Sequence, residues 1–193
     1  MGQTDKIWNI LMVGVGGQGI VLASDLLAQA ALLAGFDVKK SEIHGMSQRG
    51  GSVFSHIRFG NQVYSPVIPE ASCDIIVSLE LLETLRWTAY CHLQTKAIVL
   101  TEKILPACAK EYPSGIENEI KNIFADCLFI DSTNLLPKIK DKRYFNVALC
   151  GILANFLPLK PEVWQKAIEE WVHPEYYEDN WQAFNAGRLL GLK

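Results

Sequence analysis

Short apolar runs alternate along this chain with stretches whose apolar residues recur at helical spacing. Residues 7–13, Ile7-Trp8-Asn9-Ile10-Leu11-Met12-Val13, form a run of strand length that stops at Gly14, the pattern of a strand covered on both faces. Residues 18–34 are helix formers whose few polar members, Gln18, Ser24, Asp25 and Gln29, leave most of the circumference apolar, and Gly35 supplies a stop. Such a helix is packed on more than one side. With the strand-like 37–43 it makes a strand–helix–strand unit, which implies a parallel sheet with a right-handed crossover. Next, 52–59 and 62–68 read as two strands around Gly60-Asn61, so an inserted antiparallel hairpin is predicted. Alternation then resumes, with strands at 74–79, 97–101 and 128–131 and helices at 80–91 and 116–124.

From Asn146 onward the chain reads as helical. Val163, Trp164, Ala167, Ile168, Trp171 and Val172 repeat at helical spacing behind Pro161, and Tyr177, Trp181 and Phe184 do so again. These aromatics either close the core or meet a second subunit. The expected architecture is α/β: a Rossmann-like layered sheet with an inserted antiparallel hairpin and a helical C-terminal tail. With no linker-like composition and no internal repeat, one domain over 1–193 is expected.

Composition narrows the partners. Eighteen Lys and Arg against 21 Asp and Glu give a formal charge of -3, so there is no basic footprint for nucleic acid. No apolar run reaches the roughly 18 residues of a membrane span, and the opening residues lack the layout of a secretory leader. A cytoplasmic location is expected. Cys73, Cys91, Cys108, Cys127 and Cys150 are scattered without a C-x-x-C, which reads as reduced, mostly core thiols and leaves no cluster or zinc ligand set. Electron transfer would then need groups on another chain.

Three stretches carry candidate chemistry. Gly14-Val15-Gly16-Gly17-Gln18-Gly19 fits G-x-G-x-x-G between a strand and a helix, where glycines allow close backbone approach and the helix start favours an anion. It either holds a phosphate-bearing ligand or only packs the helix on the sheet. Glu42 lies near the place of the acidic residue of a dinucleotide site, somewhat late in spacing. Ser41 to Gly51 is rich in Gly, Ser, Gln, His and Arg; such a loop can wrap amides and an Arg fork around an anion, with His44, Ser47, Gln48 and Arg49 as its candidates. Glu80 ends a strand at the edge where open α/β sheets place ligand groups, and is either a site residue or part of a solvated helix start. No P-loop, H-E-x-x-H, G-x-S-x-G or Cys/His cluster is present, so the chain looks catalytically incomplete by itself.

Taken together, Gly14 to Gly19, Ser41 to Gly51 followed by Ser55-His56-Ile57-Arg58, the Ser65-Pro66 pair and Leu79 to Arg86 resemble the gamma family of 2-oxoacid:ferredoxin oxidoreductases, the pyruvate/ketoisovalerate type. The likeness is strongest to the small-subunit branch serving indolepyruvate enzymes, and it extends to Asn146 through Gly151 and to Asn180 through Gly187. The resemblance implies a small subunit whose larger partner carries thiamine diphosphate, Mg and 4Fe–4S clusters. That assembly turns a 2-oxoacid, coenzyme A and oxidised ferredoxin into acyl-CoA, CO2 and reduced ferredoxin. It implies for this chain no cofactor of its own and a contact to coenzyme A from the glycine loop with Ser47, Gln48 and Arg49. A stand-alone NAD(P)-binding protein and a non-catalytic assembly subunit are the competing readings.

Overall fold

The structure, a computed structural model, describes residues 6–44, 51–106 and 109–191. Six strands form one sheet: β1 (Trp8–Val15), β2 (Asp37–His44), β3 (Ser52–Gly60), β4 (Cys73–Ser78), β5 (Cys91–Leu100) and β6 (Asp126–Ile130), in spatial order β2-β3-β1-β4-β5-β6. β1, β4, β5 and β6 run parallel, while β3 runs antiparallel to both β1 and β2. Because side chains alternate across a strand, β1 sends Ile10 and Met12 into one core and Leu11 and Val13 into the other. This is why its sequence reads as an unbroken apolar run.

The larger core lies under α1 (Ile20–Leu33), α5 (Phe145–Ala154), α6 (Pro161–Trp171) and α7 (Tyr177–Leu190); the smaller lies under α2 (Leu81–Arg86) and α3 (Ile116–Ile123). A one-turn helix α4 (Ser132–Leu135) follows β6. α1 packs on the sheet and beneath α5 and α6, which accounts for its apolar circumference. α5 and α7 cross so closely that a methyl group at Gly187 would stand 1.8 Å from the Ala148 carbonyl oxygen, and one at Gly151 2.0 Å from that of Phe184. The tail therefore closes the core: Trp164 and Phe184 are fully buried with ring centroids 5.4 Å apart, although Trp171 and Tyr176 stay exposed.

The antiparallel insertion is present, but its arms differ from those predicted. β3 pairs with β2 and β1, from Trp8 opposite Phe59 to Val15 opposite Ser52, and 62–68 is not a strand. That segment is held by side chains instead of a ladder. Arg58 donates from Nη1 to the Ser65 and Val67 carbonyls at 2.9 and 3.2 Å, the Ile68 N–H donates to Nδ1 of His56 at 3.2 Å, and the Val63 N–H donates to Asp37 at 2.8 Å. Helix 80–91 is also shorter than expected, ending at Arg86 before a 3-10 turn, so β5 begins as early as Cys91.

Candidate functional site

β1 ends in the glycine loop, and the carboxyl ends of β4, β5 and β6 stand beside it. Gln18 shapes this junction. Its Oε1 accepts the Val15 N–H at 2.7 Å and its Nε2 donates to the Leu79 carbonyl at 2.6 Å, so one side chain ties the end of β1 to the end of β4. Gly17 has φ +95° and Gly19 φ +78°, backbone states that an L side chain rarely adopts. At Gly19 a methyl group would also fall 1.9 Å from Nδ2 of Asn146. Gly14 lies within β1, where an added methyl would press on Gln18 and Ile20. Gly16 donates its N–H to the Gly51 carbonyl at 2.9 Å, which brings the first loop against the end of the second.

Above the loop opens a cleft of about 660 Å³. Gly17, Gln18 and Gly19 form its floor together with Leu22 of α1, and Leu79, Leu100, Leu136 and Phe145 make a mainly apolar wall. Glu102, Ser132 and Asn146 are its polar members, and Lys142 and Arg143 stand at its rim. Among the described residues no side chain caps the start of α1, so the partial positive charge of its first turn stands uncapped next to Gly19 on the cleft floor. Ser132 donates its hydroxyl to Glu102. Arg143 is braced by Asp141, with Nη2 at 2.9 Å, a contact that raises its already high pKa. Apolar wall, helix start and two cations suit a ligand with an apolar arm and an anionic, phosphate-like end.

The sequence candidates divide. Gln18, Gly17 and Gly19 line the cleft, while Gly14 and Gly16 shape it through the backbone. His44 closes β2 opposite Val53; its side chain, and Ser47, Gln48 and Arg49 altogether, lie outside the described residues. Glu80 is elsewhere engaged: 1% exposed, it caps α2 by accepting the Glu83 N–H at 3.0 Å and takes the Tyr112 hydroxyl at 2.6 Å and the Ile104 N–H at 3.2 Å. Burial, then the hydrogen bond to Glu80, raises the Tyr112 pKa, so the phenol stays a donor. Neighbouring Glu83, also buried, accepts from Ser52, Arg86 and Trp87. These carboxylates hold Ile104, Tyr112 and the start of β3 rather than facing the cleft. Sequence reasoning missed Glu102, Ser132, Lys142, Arg143 and Asn146. The first two follow strand ends, where α/β sheets put ligand groups, and the basic run from Lys138 to Arg143 was a visible signal.

For a dinucleotide the acidic residue must end the strand beside β1. β3 occupies that place, and Glu42 sits in β2, one strand further out, so two strand spacings of about 4.8 Å separate it from β1. Nor do the described residues gather a metal site: no three of His, Cys, Asp and Glu come together in a group that could hold an ion, and their donor set does not fit an iron–sulfur cluster. Among the described residues no helix is long and apolar enough to cross a membrane.

Sheet order and cleft define the class first: an α/β domain with its cleft at the carboxyl ends of parallel strands, where the chain leaves β1 for one side and β4 for the other. The pyruvate ferredoxin/flavodoxin oxidoreductase family matches residues 9–190, and the chain belongs to that family. It is 37% identical over 195 residues to the indolepyruvate oxidoreductase subunit IorB of Pyrococcus horikoshii, covering 94% of this chain and 95% of that one. It is 30% identical over 180 residues to the pyruvate/ketoisovalerate oxidoreductases common subunit gamma of Pyrococcus furiosus, covering 88% and 89%. Its fold matches, at TM-score 0.74 and 17% identity, a 2-oxoglutarate:ferredoxin oxidoreductase of Magnetococcus marinus solved with 2-oxoglutarate, coenzyme A and succinyl-CoA bound; the match spans 97% of this chain and 31% of that one.

Proposed function

We propose that this chain is the small subunit, one domain over 1–193, of a cytoplasmic 2-oxoacid:ferredoxin oxidoreductase acting on indolepyruvate or a related arylpyruvate. The substrate class is favoured by the 37% identity to an indolepyruvate oxidoreductase subunit over nearly the full length, against 30% to the pyruvate/ketoisovalerate subunit. Oxidative decarboxylation to acyl-CoA with reduction of ferredoxin would be completed on a larger partner bearing thiamine diphosphate, Mg and 4Fe–4S clusters, a reading supported by the chain's membership of the pyruvate ferredoxin/flavodoxin oxidoreductase family.

The observation that carries a role for this chain is the cleft over the glycine loop. Coenzyme A has the two ends the cleft suits. Its phosphates would meet the α1 start, Lys142 and Arg143, while Leu22, Leu79 and Leu136 cover the apolar part; His44, Ser47, Gln48 and Arg49 remain candidates on the strength of their sequence alone. Gln18 and the glycines hold the floor open. The chain supplies binding and orientation.

The test is reconstitution. Added to its larger partner, the chain should restore reduction of ferredoxin or a viologen dye that depends on both indolepyruvate and coenzyme A, and alone it should turn over neither. Turnover by the purified single chain, or micromolar NADH binding to it by calorimetry, would overturn the proposal.

A further inference from the structure

At the end of the sheet opposite the cleft, the amino ends of β4 and β5 bring two cysteines together. The Ala71 N–H donates to the Ala89 carbonyl and the Ser72 N–H to the Tyr90 carbonyl, each at 3.0 Å, and one residue further Cys73 lies in register with Cys91. Adjacent strands are about 4.8 Å apart, inside the roughly 4.4–6.8 Å between Cα atoms that a disulfide spans. Both side chains join the same core, Cys73 fully buried and Cys91 half-buried against it, so they lie on one face. Beyond them the ladder breaks, and register resumes only at Ile75 opposite Lys96. Residues 92–95 make a small excursion, pinned by the His92 N–H to the Thr95 hydroxyl and by that hydroxyl to the Cys73 carbonyl, with Leu93 84% exposed at its tip. Cys91 thus sits where β5 is irregular, and irregular backbone yields to the small adjustment of a cross-link more readily than a continuous ladder.

We propose that Cys73 and Cys91 are an oxidisable dithiol, a reversible disulfide site closed by a hydroperoxide. Half-buried Cys91 is the attacking thiol. As thiolate it takes one peroxide oxygen; the O–O bond breaks, hydroxide leaves with the thiol proton as water, and a sulfenic acid remains. The Cys73 sulfur then attacks the Cys91 sulfur, the S–O bond breaks, and the departing hydroxide takes the Cys73 proton. Two thiols and one peroxide give one disulfide and two waters. Burial, and next the hydrogen-bonding neighbour Cys91, hold the Cys73 thiol well above its usual pKa, which leaves Cys73 to the second step. Cys127 and Cys150 provide internal controls: burial pushes them up to about 11 and about 12, and no other described cysteine is hydrogen-bonded to either.

The experiment uses the full chain, reduced and then exposed to equimolar hydrogen peroxide, alkylated under denaturing conditions and mapped by mass spectrometry. The expected product is a Cys73–Cys91 linked peptide in a monomer on a non-reducing gel, reversed by dithiothreitol, with Cys127 and Cys150 alkylated. In Cys91→Ser the link should vanish and Cys73 should stay alkylatable. The proposal is overturned if Cys73 remains fully alkylatable in the parent, if Cys91 proceeds to sulfinic acid without linking, or if the link joins two chains.

Discussion

Replacing Gln18 by Ala removes the amide that bridges β1 and β4 just below the cleft. Val15 N–H and Leu79 C=O would lose partners at 2.7 and 2.6 Å. A net hydrogen bond is worth about 0.5–1.5 kcal/mol, and a deserted buried group costs about 1–3 kcal/mol. Gln18 is half-buried beside an open cleft, so water recovers part of the loss, and the expected destabilisation is about 1.5–2.5 kcal/mol, or roughly 3–10 °C in Tm for a chain this long. Gln18→Glu sharpens the reasoning. The carboxylate still accepts from Val15 but confronts the Leu79 carbonyl with a second acceptor, so it should be at least as destabilising at pH 7. As the folded state favours the protonated form of the introduced carboxyl, its pKa is raised above the ordinary value, and the deficit should shrink as pH falls through that pKa. Urea unfolding of the isolated chain, followed by Trp fluorescence, measures both variants. If the alanine variant costs less than about 0.5 kcal/mol, or the glutamate variant shows no pH-dependent recovery, the clamp is not what joins the strand ends.

His56 is 3% exposed, and burial first, then the Arg58 charge, lowers its pKa from 6.5 to about 4; the unfolded chain binds the extra proton, so up to about 2–3 kcal/mol of stability should be present above pH 6.5 and lost as pH falls to 4. His56→Gln, which keeps an acceptor for the Ile68 N–H, should flatten that part of a urea-midpoint profile; an unchanged slope would remove His56 as its cause. In the reconstituted complex, Lys142→Ala should raise KM for coenzyme A about three- to tenfold with kcat unchanged, as loss of an exposed charge contact is worth about 1 kcal/mol. Arg49→Ala should cost ten- to hundredfold in coenzyme A or oxoacid use, for about 1.5–3 kcal/mol, while folding changes by no more than about 1 kcal/mol; steady-state kinetics that match the parent for both would exclude these cations from the site.

How much was legible in the sequence depends on how local each signal is. β1, the glycine loop and α1 are written in contiguous residues, an apolar run, close-set glycines and an apolar helix, and the structure places them within one or two residues of the reading. The hairpin partner of β3 was not local: Val63, Val67 and Ile68 imitate a strand after Gly60-Asn61, yet the pairing that won runs across 45–50 to β2, and Arg58, His56 and Asp37 absorb the backbone groups of 62–68. Glu80 was located at its strand end, but whether such a carboxylate faces a ligand or turns inward to cap α2 depends on Tyr112, 32 residues away. Lys142 and Arg143 reach the cleft only because the chain returns from β6 across the glycine loop to α5, a juxtaposition no window of sequence displays.

Native mass spectrometry of the tagged chain, purified without oxygen from the cells that make it, tests the central claim most directly. The account predicts a complex holding the chain in fixed ratio with a larger subunit that carries iron, sulfide and thiamine diphosphate and reduces ferredoxin with indolepyruvate and coenzyme A. Recovery of this chain alone, or with a partner lacking iron and thiamine, would contradict it.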